Sequence, residues 1–369
     1  MKVKYLVLSD IHLGHNINKT ELIVTNLSKF FLDYKKQLKD LNMIFLAGDI
    51  FDRLLVTSGK DFICATEWLT ELILYCQKHS ILLRILEGTP SHDWKQAKLI
   101  STIIEKFNIE LDYKYIDTLA IEYIDKFNLH VLYIPDEYKN KAEDTYKDVL
   151  KLLKTHKLSQ VDIGIFHGQF HYQLPIRLES SHDESSYLNI VKHYISIGHI
   201  HTCSIFDRIL AQGSFDRLAH NEEEDKGGML ITLDDNLGNR FEFLPNRNAM
   251  IFKTISIDQD NLESILEYLD QELKKIKSGS NIRLVTNHEE FLTKNIDTIR
   301  CRYPTLTIKI TKDTKSKDNK ISLLDNNIVI DSFNITKDNI EELLSKEMEK
   351  HGLTQKELDI FKEELKEVI

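Results

Sequence analysis

Five short clusters of histidine and aspartate, each directly after an apolar run, constrain this chain more than anything else in it. In order they are Asp10-Ile11-His12, Gly48-Asp49-Ile50-Phe51-Asp52, Ser91-His92-Asp93, His167-Gly168 and Gly198-His199-Ile200-His201. The preceding runs, residues 5–8, 43–47, 81–86, 163–166 and 194–197, read as buried strands. Each cluster therefore sits where a strand ends, and the strands of a parallel sheet end on one rim. Imidazole and carboxylate together suit Zn, Mn, Fe or Ni rather than Ca or Mg alone. Six such side chains on one rim are enough for two adjacent ions.

A chain of 369 residues has room for one large α/β domain and a smaller one. The formal charge of −10 excludes a uniformly basic surface, so nucleic acid would have to be met through a local patch, metal ions or a partner. Cys64, Cys76, Cys203 and Cys301 are scattered without a CxxC pair, which reads as reduced thiols rather than a disulfide or zinc framework. The strand-like opening at residues 2–8 is expected to leave no room for a signal peptide, and no stretch approaches the ~20 apolar residues of a membrane span. The expected location is cytoplasmic. Few prolines beside abundant Lys, Ile and Asn suggest an AT-biased coding sequence, suiting a bacterium or a bacteriophage in its host.

Through residues 1–245 strands and helices alternate. Helices are expected at 20–41, at 61–79 with an apolar stripe around Trp68, near Gln96, and at 141–156. Paired strands are expected at 119–124 and 129–134, and antiparallel ones at 208–211, 228–233 and 240–244. The order fits an α/β (α+β) fold with helices on both faces of a mixed sheet, or of two packed sheets. Residues 250–312 read as a compact β-α-β-α-β unit, and 313–335 as a polar linker. Residues 336–369 read as a helical hairpin with stripes Ile340, Leu343, Leu344, Met348 and Leu358, Phe361, Leu365, Val368. Gly352 suits the end of its first helix, and Thr354 to Glu357 form a capping box for the second.

Phosphoester hydrolysis needs an anion neutralised, a water of pKa about 15.7 activated, and a poor leaving group helped away. Two metals roughly 3.5–4 Å apart meet these demands, and a shared carboxylate holds both. Asp49 is the natural bridge. Asp10, His12, Asp49 and His201 make a first site; Asp49, His167 and His199 make a second with one further ligand. His92, from another strand end, is free to protonate the leaving oxygen, with Asp93 holding its ring. A single His after a strand is usually an ordinary loop residue. Five clusters in the same context are not, although His15, His171, His182 and His193 still read as loop residues or as residues behind the ligands, with His171, four residues past His167, the first exception to consider.

The series D-x-H, G-D-x-x-D, H-D, H-G, G-H-x-H resembles the calcineurin-like metallophosphoesterase superfamily over about the first 245 residues. That resemblance implies a four-layer sandwich with mixed sheets and two divalent metals, commonly Mn²⁺. It implies Asp10, His12, Asp49, His167, His199 and His201 as ligands, His92 as the acid, and Asp93 and Asp52 behind them. The chain departs from the pattern at Gly88-Thr89-Pro90-Ser91-His92-Asp93, where the superfamily has Gly-Asn-His-Asp. On this reading Ser91 takes the place of the Asn ligand, as a weak hydroxyl ligand or the holder of a water.

Gly213-Ser214-Phe215-Asp216-Arg217, followed by Glu222-Glu223-Glu224-Asp225-Lys226-Gly227-Gly228, resembles the corresponding stretch of SbcD-type nuclease subunits. On physical grounds alone it is an acidic loop with a turn. The resemblance implies that residues 250–312 are a DNA-capping domain, and that the helical hairpin docks on an SbcC-type SMC-like ATPase rather than on its own domain. It also implies a homodimer through the Trp68 helix and the one near Gln96, which would otherwise be plain core cover. Arg53, Lys95, Lys98, Arg177 and Arg217 are candidates to meet DNA phosphates, and Tyr172 or Phe170 to meet a base. The expected function is a dimanganese DNA exonuclease and endonuclease of a recombination and repair complex, cutting at ends or hairpins with a metal-bridging hydroxide. Two rivals stand beside it: a metallophosphoesterase acting on small nucleotides or phosphoproteins, and a non-catalytic one-metal scaffold.

Overall fold

Odd and even residues of the first strand go to different cores, and that alternation builds the layers. Tyr5 and Val7 face one way, Leu6 and Leu8 the other, and all four are fully buried. A computed structural model describes residues 2–312. The linker and hairpin expected at 313–335 and 336–369 lie outside the described residues.

The chain runs β1 (Lys2–Leu8), α1 (Thr20–Asp33), β2 (Met43–Ala47), α2 (Lys60–His79), β3 (Leu82–Leu86), α3 (Pro90–Asp93), α4 (Leu99–Lys106) and β4 (Tyr113–Ile116). Next come β5 (Ala120–Ile124), β6 (Leu129–Ile134), α5 (Ala142–Thr155), β7 (Ile163–Gly168), α6 (Glu184–Ile190) and β8 (Ile195–His199). Then follow β9 (Ser204–Phe206), β10 (Ile209–Ala211), β11 (Gly227–Asp234) and β12 (Arg240–Pro245). The described chain closes with β13 (Phe252–Ile257), α7 (Leu262–Leu273), β14 (Asn281–Thr286), α8 (Glu289–Arg302) and β15 (Thr307–Lys312).

These strands form two six-stranded mixed sheets, β12-β11-β1-β2-β3-β4 and β5-β6-β7-β8-β10-β9. Tyr5, Val7, Phe45 and Met229 of the first sheet pack on Val131, Tyr133, Ile163 and Ile165 of the second. On the outer face of the first sheet, Leu6, Ile44, Leu46 and Ile85 lie under α1, α2 and α4. On the outer face of the second, Leu132, Ile134, Phe166 and Ile197 lie under α5 and α6. The result is the α/β sandwich expected, helix, sheet, sheet, helix. Central parallel strands such as β2 and β7 are buried on both faces, which is why they read as continuous apolar runs.

Several details differ from the sequence reading. The clusters do not share one sheet: three follow strands of the first sheet and two follow strands of the second, and the rims of both sheets meet. β10 runs parallel to β8 and antiparallel only to β9. α1 stops at Asp33 instead of residue 41; turns follow in which Leu38 and Leu41 stay buried, so the apolar spacing continues without the helix. The Tyr34 hydroxyl at that stop donates to the Pro245 carbonyl at 2.8 Å.

β13, β14 and β15 form a separate parallel sheet whose core includes Ile255, Ile265, Leu269, Ile282, Leu284, Leu292 and Ile299. This is the β-α-β-α-β unit expected at 250–312. The described residues nonetheless make one compact unit, so 245–250 is a joint inside it. Asp216 pins that joint by accepting the Met250 N–H at 2.6 Å. Among the described residues no helix is long and apolar enough to cross a membrane.

Candidate metal centre

The ligand-bearing backbone is held in conformations that L-residues seldom adopt. Asp10, His12, Asp49 and His199 have φ of 51, 54, 49 and 99°. Left-handed φ at non-glycine residues costs free energy and persists only where the surroundings demand it. Here the loops after β1 and β2 are laced together, with the Asp10 and Ile11 N–H groups donating to Gly48 O and Asp49 O at 3.0 and 2.8 Å. Two glycines are required by closeness: a Cβ on Gly48 would lie 2.2 Å from His167 Nδ1, and one on Gly88 would lie 2.1 Å from the Asp49 nitrogen.

Asp10, His12 and His201 form one donor group. His12 Nδ1 is 3.1 Å from Asp52 Oδ1, and His201 Nδ1 is 2.8 Å from Glu222 Oε1. Carboxylates on both Nδ1 atoms turn both Nε2 atoms inward, where they face each other at 3.1 Å. Two imidazole nitrogens about 2.0–2.1 Å from one cation, at octahedral to tetrahedral angles, would be about 2.8–3.4 Å apart. Asp10 completes the group from below and is fixed by the His199 N–H at 3.0 and 3.1 Å.

Glu222 is held in turn. Its Oε2 lies 3.1 Å from Lys226 Nζ, and the Lys226 ammonium, wholly buried, also donates to Glu224 and to the His201 carbonyl. Burial works to raise the Glu222 carboxyl, but His201 and Lys226 bring it down to about 2. The acidic loop thus carries the orienting partner of a site histidine. The sequence reading did not single out Glu222 or Lys226 for the site, because a run of acids looks like a solvated turn.

Asp49, His167 and His199 form the second group. His167 is wholly buried, and its Nδ1 is 2.7 Å from the Ala47 carbonyl. That contact places a hydrogen on Nδ1, so Nε2 is the nitrogen whose lone pair the neutral ring offers to a cation. Nε2 has no hydrogen-bond partner and lies 3.3 Å from Asp49 Oδ1. Asp49 itself is 2 % exposed, and although burial opposes its charge, His167, His92 and His12 hold its carboxyl well below the usual range. A buried nitrogen lone pair aimed at a buried carboxylate is what a cation site looks like from its ligands. The donor set, imidazoles with carboxylates, fits a divalent transition metal.

Two residues of the third cluster behave differently from the expectation. Asp93 does not hold the His92 ring. It is fully buried and accepts the N–H groups of Asp49, Phe51 and Gly88 at 3.1, 2.9 and 2.8 Å, tying the second and third clusters together through their backbones. The His92 ring is held instead by Asp49, Nδ1 to Oδ2, at 2.9 Å. Ser91 is exposed, and its carbonyl accepts Trp94 Nε1. The place of the expected weak ligand belongs to Thr89, which follows Gly88 directly: its Oγ1 is 3.2 Å from Asp49 Oδ2 and 3.4 Å from His199 Nδ1. The extra residues Pro90 and Ser91 bulge outward in the short α3, so counting back from His92 picks the wrong hydroxyl.

Of the other candidates, Phe170 is core, and Tyr172 stacks on Phe206 at 5.0 Å. Arg217 is structural, donating to the carbonyls of Glu224 and Met250. Lys95 and Lys98 share Asp117, and Arg53 reaches Asn16 and Asp61, all at the surface. His171 joins a separate group with Asp183 and Glu184. No disulfide links the cysteines, which are free.

No family model matches the chain, and no curated protein does. Among solved structures, one crystal structure covers 66 % of this chain and 100 % of its own length, at 13 % identity and a TM-score of 0.39.

Proposed function

We propose that this chain is a metal-dependent phosphodiesterase of the calcineurin-like metallophosphoesterase type, acting on DNA as the nuclease subunit of an SbcC–SbcD type recombination and repair complex. One observation carries the reading: Asp49 stands between both donor groups, Oδ1 3.3 Å from His167 Nε2 and Oδ2 3.9 Å from His12 Nε2. Two divalent cations held there, Mn²⁺ foremost, would supply charge neutralisation at a phosphodiester and an acidified water.

The chain's own residues do the rest. Asp52 and Glu222 fix the His12 and His201 rings, so the ligand atoms are placed before any substrate arrives. His92 is 37 % exposed while its Nδ1 rests on Asp49. Nε2 is then the ring nitrogen left to hand a proton to the departing 3′ oxygen. Two cavities of about 420 and 750 Å³ lie at the centre's edge, the first lined by His167 and His199, the second by Ser91, Trp94, Lys95 and Tyr138. Trp94 is 55 % exposed with its Nε1 already bonded, which suits its ring face to a base.

A homodimer through α2 and α4 is supported by apolar side chains left outside: Ile63 at 50 % and Leu74 at 49 % on α2, and Phe107 at 66 % just past α4. Trp68, in contrast, is core. Docking of the SbcC-type ATPase is assigned to residues 336–369, outside the described residues, and a cytoplasmic setting goes with that partner.

The test is hydrolysis of a 3′-labelled duplex and a hairpin by pure protein with Mn²⁺, beside His92→Ala. Cleavage that the variant loses supports the nuclease reading. Turnover of bis-(p-nitrophenyl) phosphate with intact DNA, unchanged by an added SbcC-type ATPase, would move the substrate to small phosphodiesters. Inertness toward both, with one bound metal, would leave the scaffold.

A further inference from the structure

Asp136, two residues past β6, brings a third carboxylate to the centre. Its Oδ2 lies 3.1 Å from Thr89 Oγ1 and 3.4 Å from His199 Nδ1. Thr89 Oγ1 is also 3.2 Å from Asp49 Oδ2. The hydroxyl has one hydrogen, yet two carboxylate oxygens and an imidazole nitrogen crowd around it. His167 Nε2, wholly buried and unpartnered, opens on the same space, and a cavity wall there is shared by His167, Gly168, His199 and Asp136. Acceptors and lone pairs crowd this point, and a cation among them would satisfy the carboxylates and His167 Nε2 together.

The charge count agrees. Of the expected ligands, Asp10 and Asp49 are the two carboxylates within direct reach of two divalent ions, Asp52 and Glu222 standing behind the His12 and His201 rings, and such ions are costly to bury without matching charge. The superfamily's amide ligand is absent, and the threonine hydroxyl in its place is a weak neutral donor. A carboxylate one strand away supplies both the missing ligand and the missing charge.

We propose that Asp136, with the Thr89 hydroxyl beside it, is a ligand of the second metal and replaces the amide that this chain lacks. The proposal rests on the two-metal reading of the centre. The rival role for Asp136 is to accept a hydrogen from His199 Nδ1 and hold its ring. An asparagine would do that equally well through its amide oxygen, but it would be a poorer ligand.

The test is Mn²⁺ titration of the full-length chain, stripped by chelator, followed by calorimetry and by electron paramagnetic resonance. The natural protein should bind two ions and show the exchange-coupled signal of a manganese pair. Asp136→Asn should keep one tight ion, bind the second about 10–100-fold more weakly, and lose the coupled signal. Asp136→Glu should retain the second ion, and matching circular dichroism across the variants shows that each is folded. An Asn variant with two tight ions and an intact coupled signal overturns the ligand role while leaving the two-metal centre standing. A natural protein that binds fewer than two ions overturns both.

Discussion

His201 turns its Nδ1 to Glu222 at 2.8 Å and its Nε2 to His12 Nε2 at 3.1 Å, so one acid outside the centre decides which nitrogen faces in. Glu222→Ala frees the ring to rotate and to take the other tautomer. The first metal should then bind about 10–100-fold more weakly, the usual cost of losing such a partner. Mn²⁺ titration reads this directly, and an unchanged affinity would remove Glu222 from the site.

The same carboxyl makes stability depend on acid. In the fold it is brought down to about 2 from an ordinary 4.5. A carboxyl lowered on folding contributes fully above its unfolded value and loses that contribution as pH falls through its folded one. The contribution is about 3 kcal/mol at pH 7 and less than half of that by pH 3. Denaturant unfolding of the chelator-stripped protein should therefore show a large deficit for Glu222→Gln at pH 7 that narrows by pH 3. A deficit independent of pH would point to lost packing instead.

Much of this centre is legible in the chain because its ligands follow strands, and a strand end is easy to read when four or five apolar residues precede it. Asp10, His12, Asp49, His167, His199 and His201 are reached that way. Asp10, His12 and His201 gather in one group and Asp49, His167 and His199 in another, with Asp49 also grouped with His12 and His92 rather than inside the first. Asp136 escaped because residues 129–134 read as half of a hairpin with β5, which they are, while also pairing parallel with β7. A strand that faces two ways shows only its nearer partner in the sequence. Thr89 escaped because two inserted residues shift the spacing, and Glu222 because its role comes from Lys226 and from a fold-back across 21 residues. The single rim gave way to two sheets for a related reason: central strands buried on both faces look alike whichever sheet holds them.

Arg84 joins the two sheets at their edges. Only 4 % exposed in β3, it meets Glu122 of β5 at 3.0 Å and Asp112 at 2.7 Å, while the Tyr133 hydroxyl donates to Glu122 at 2.8 Å. Removing one member of a buried pair leaves the other uncompensated. Arg84→Ala should cost about 3–5 kcal/mol, and Arg84→Met with Glu122→Leu considerably less. Urea unfolding of the two variants decides it: equal losses would mean that packing, not the stranded charge, sets the cost.

His92 joins titration to chemistry. Its hydrogen bond to Asp49 outweighs burial and raises its pKa above the ordinary 6.5. A histidine so raised stays protonated, and able to donate, to a higher pH than a free one. In the metal-stripped protein its ring should titrate above 6.5 by NMR, and Asp49→Asn should bring it back down. As the acid, His92 matters only when the leaving oxygen needs a proton. His92→Ala should slow DNA cleavage about 10²–10⁴-fold, yet barely affect bis-(p-nitrophenyl) phosphate, whose leaving group departs as a stable anion. Equal losses on both substrates would mean that His92 serves the centre by holding Asp49 rather than by giving a proton. The ratio of the two rates, rather than either one alone, therefore separates the proton donor from the positioning residue.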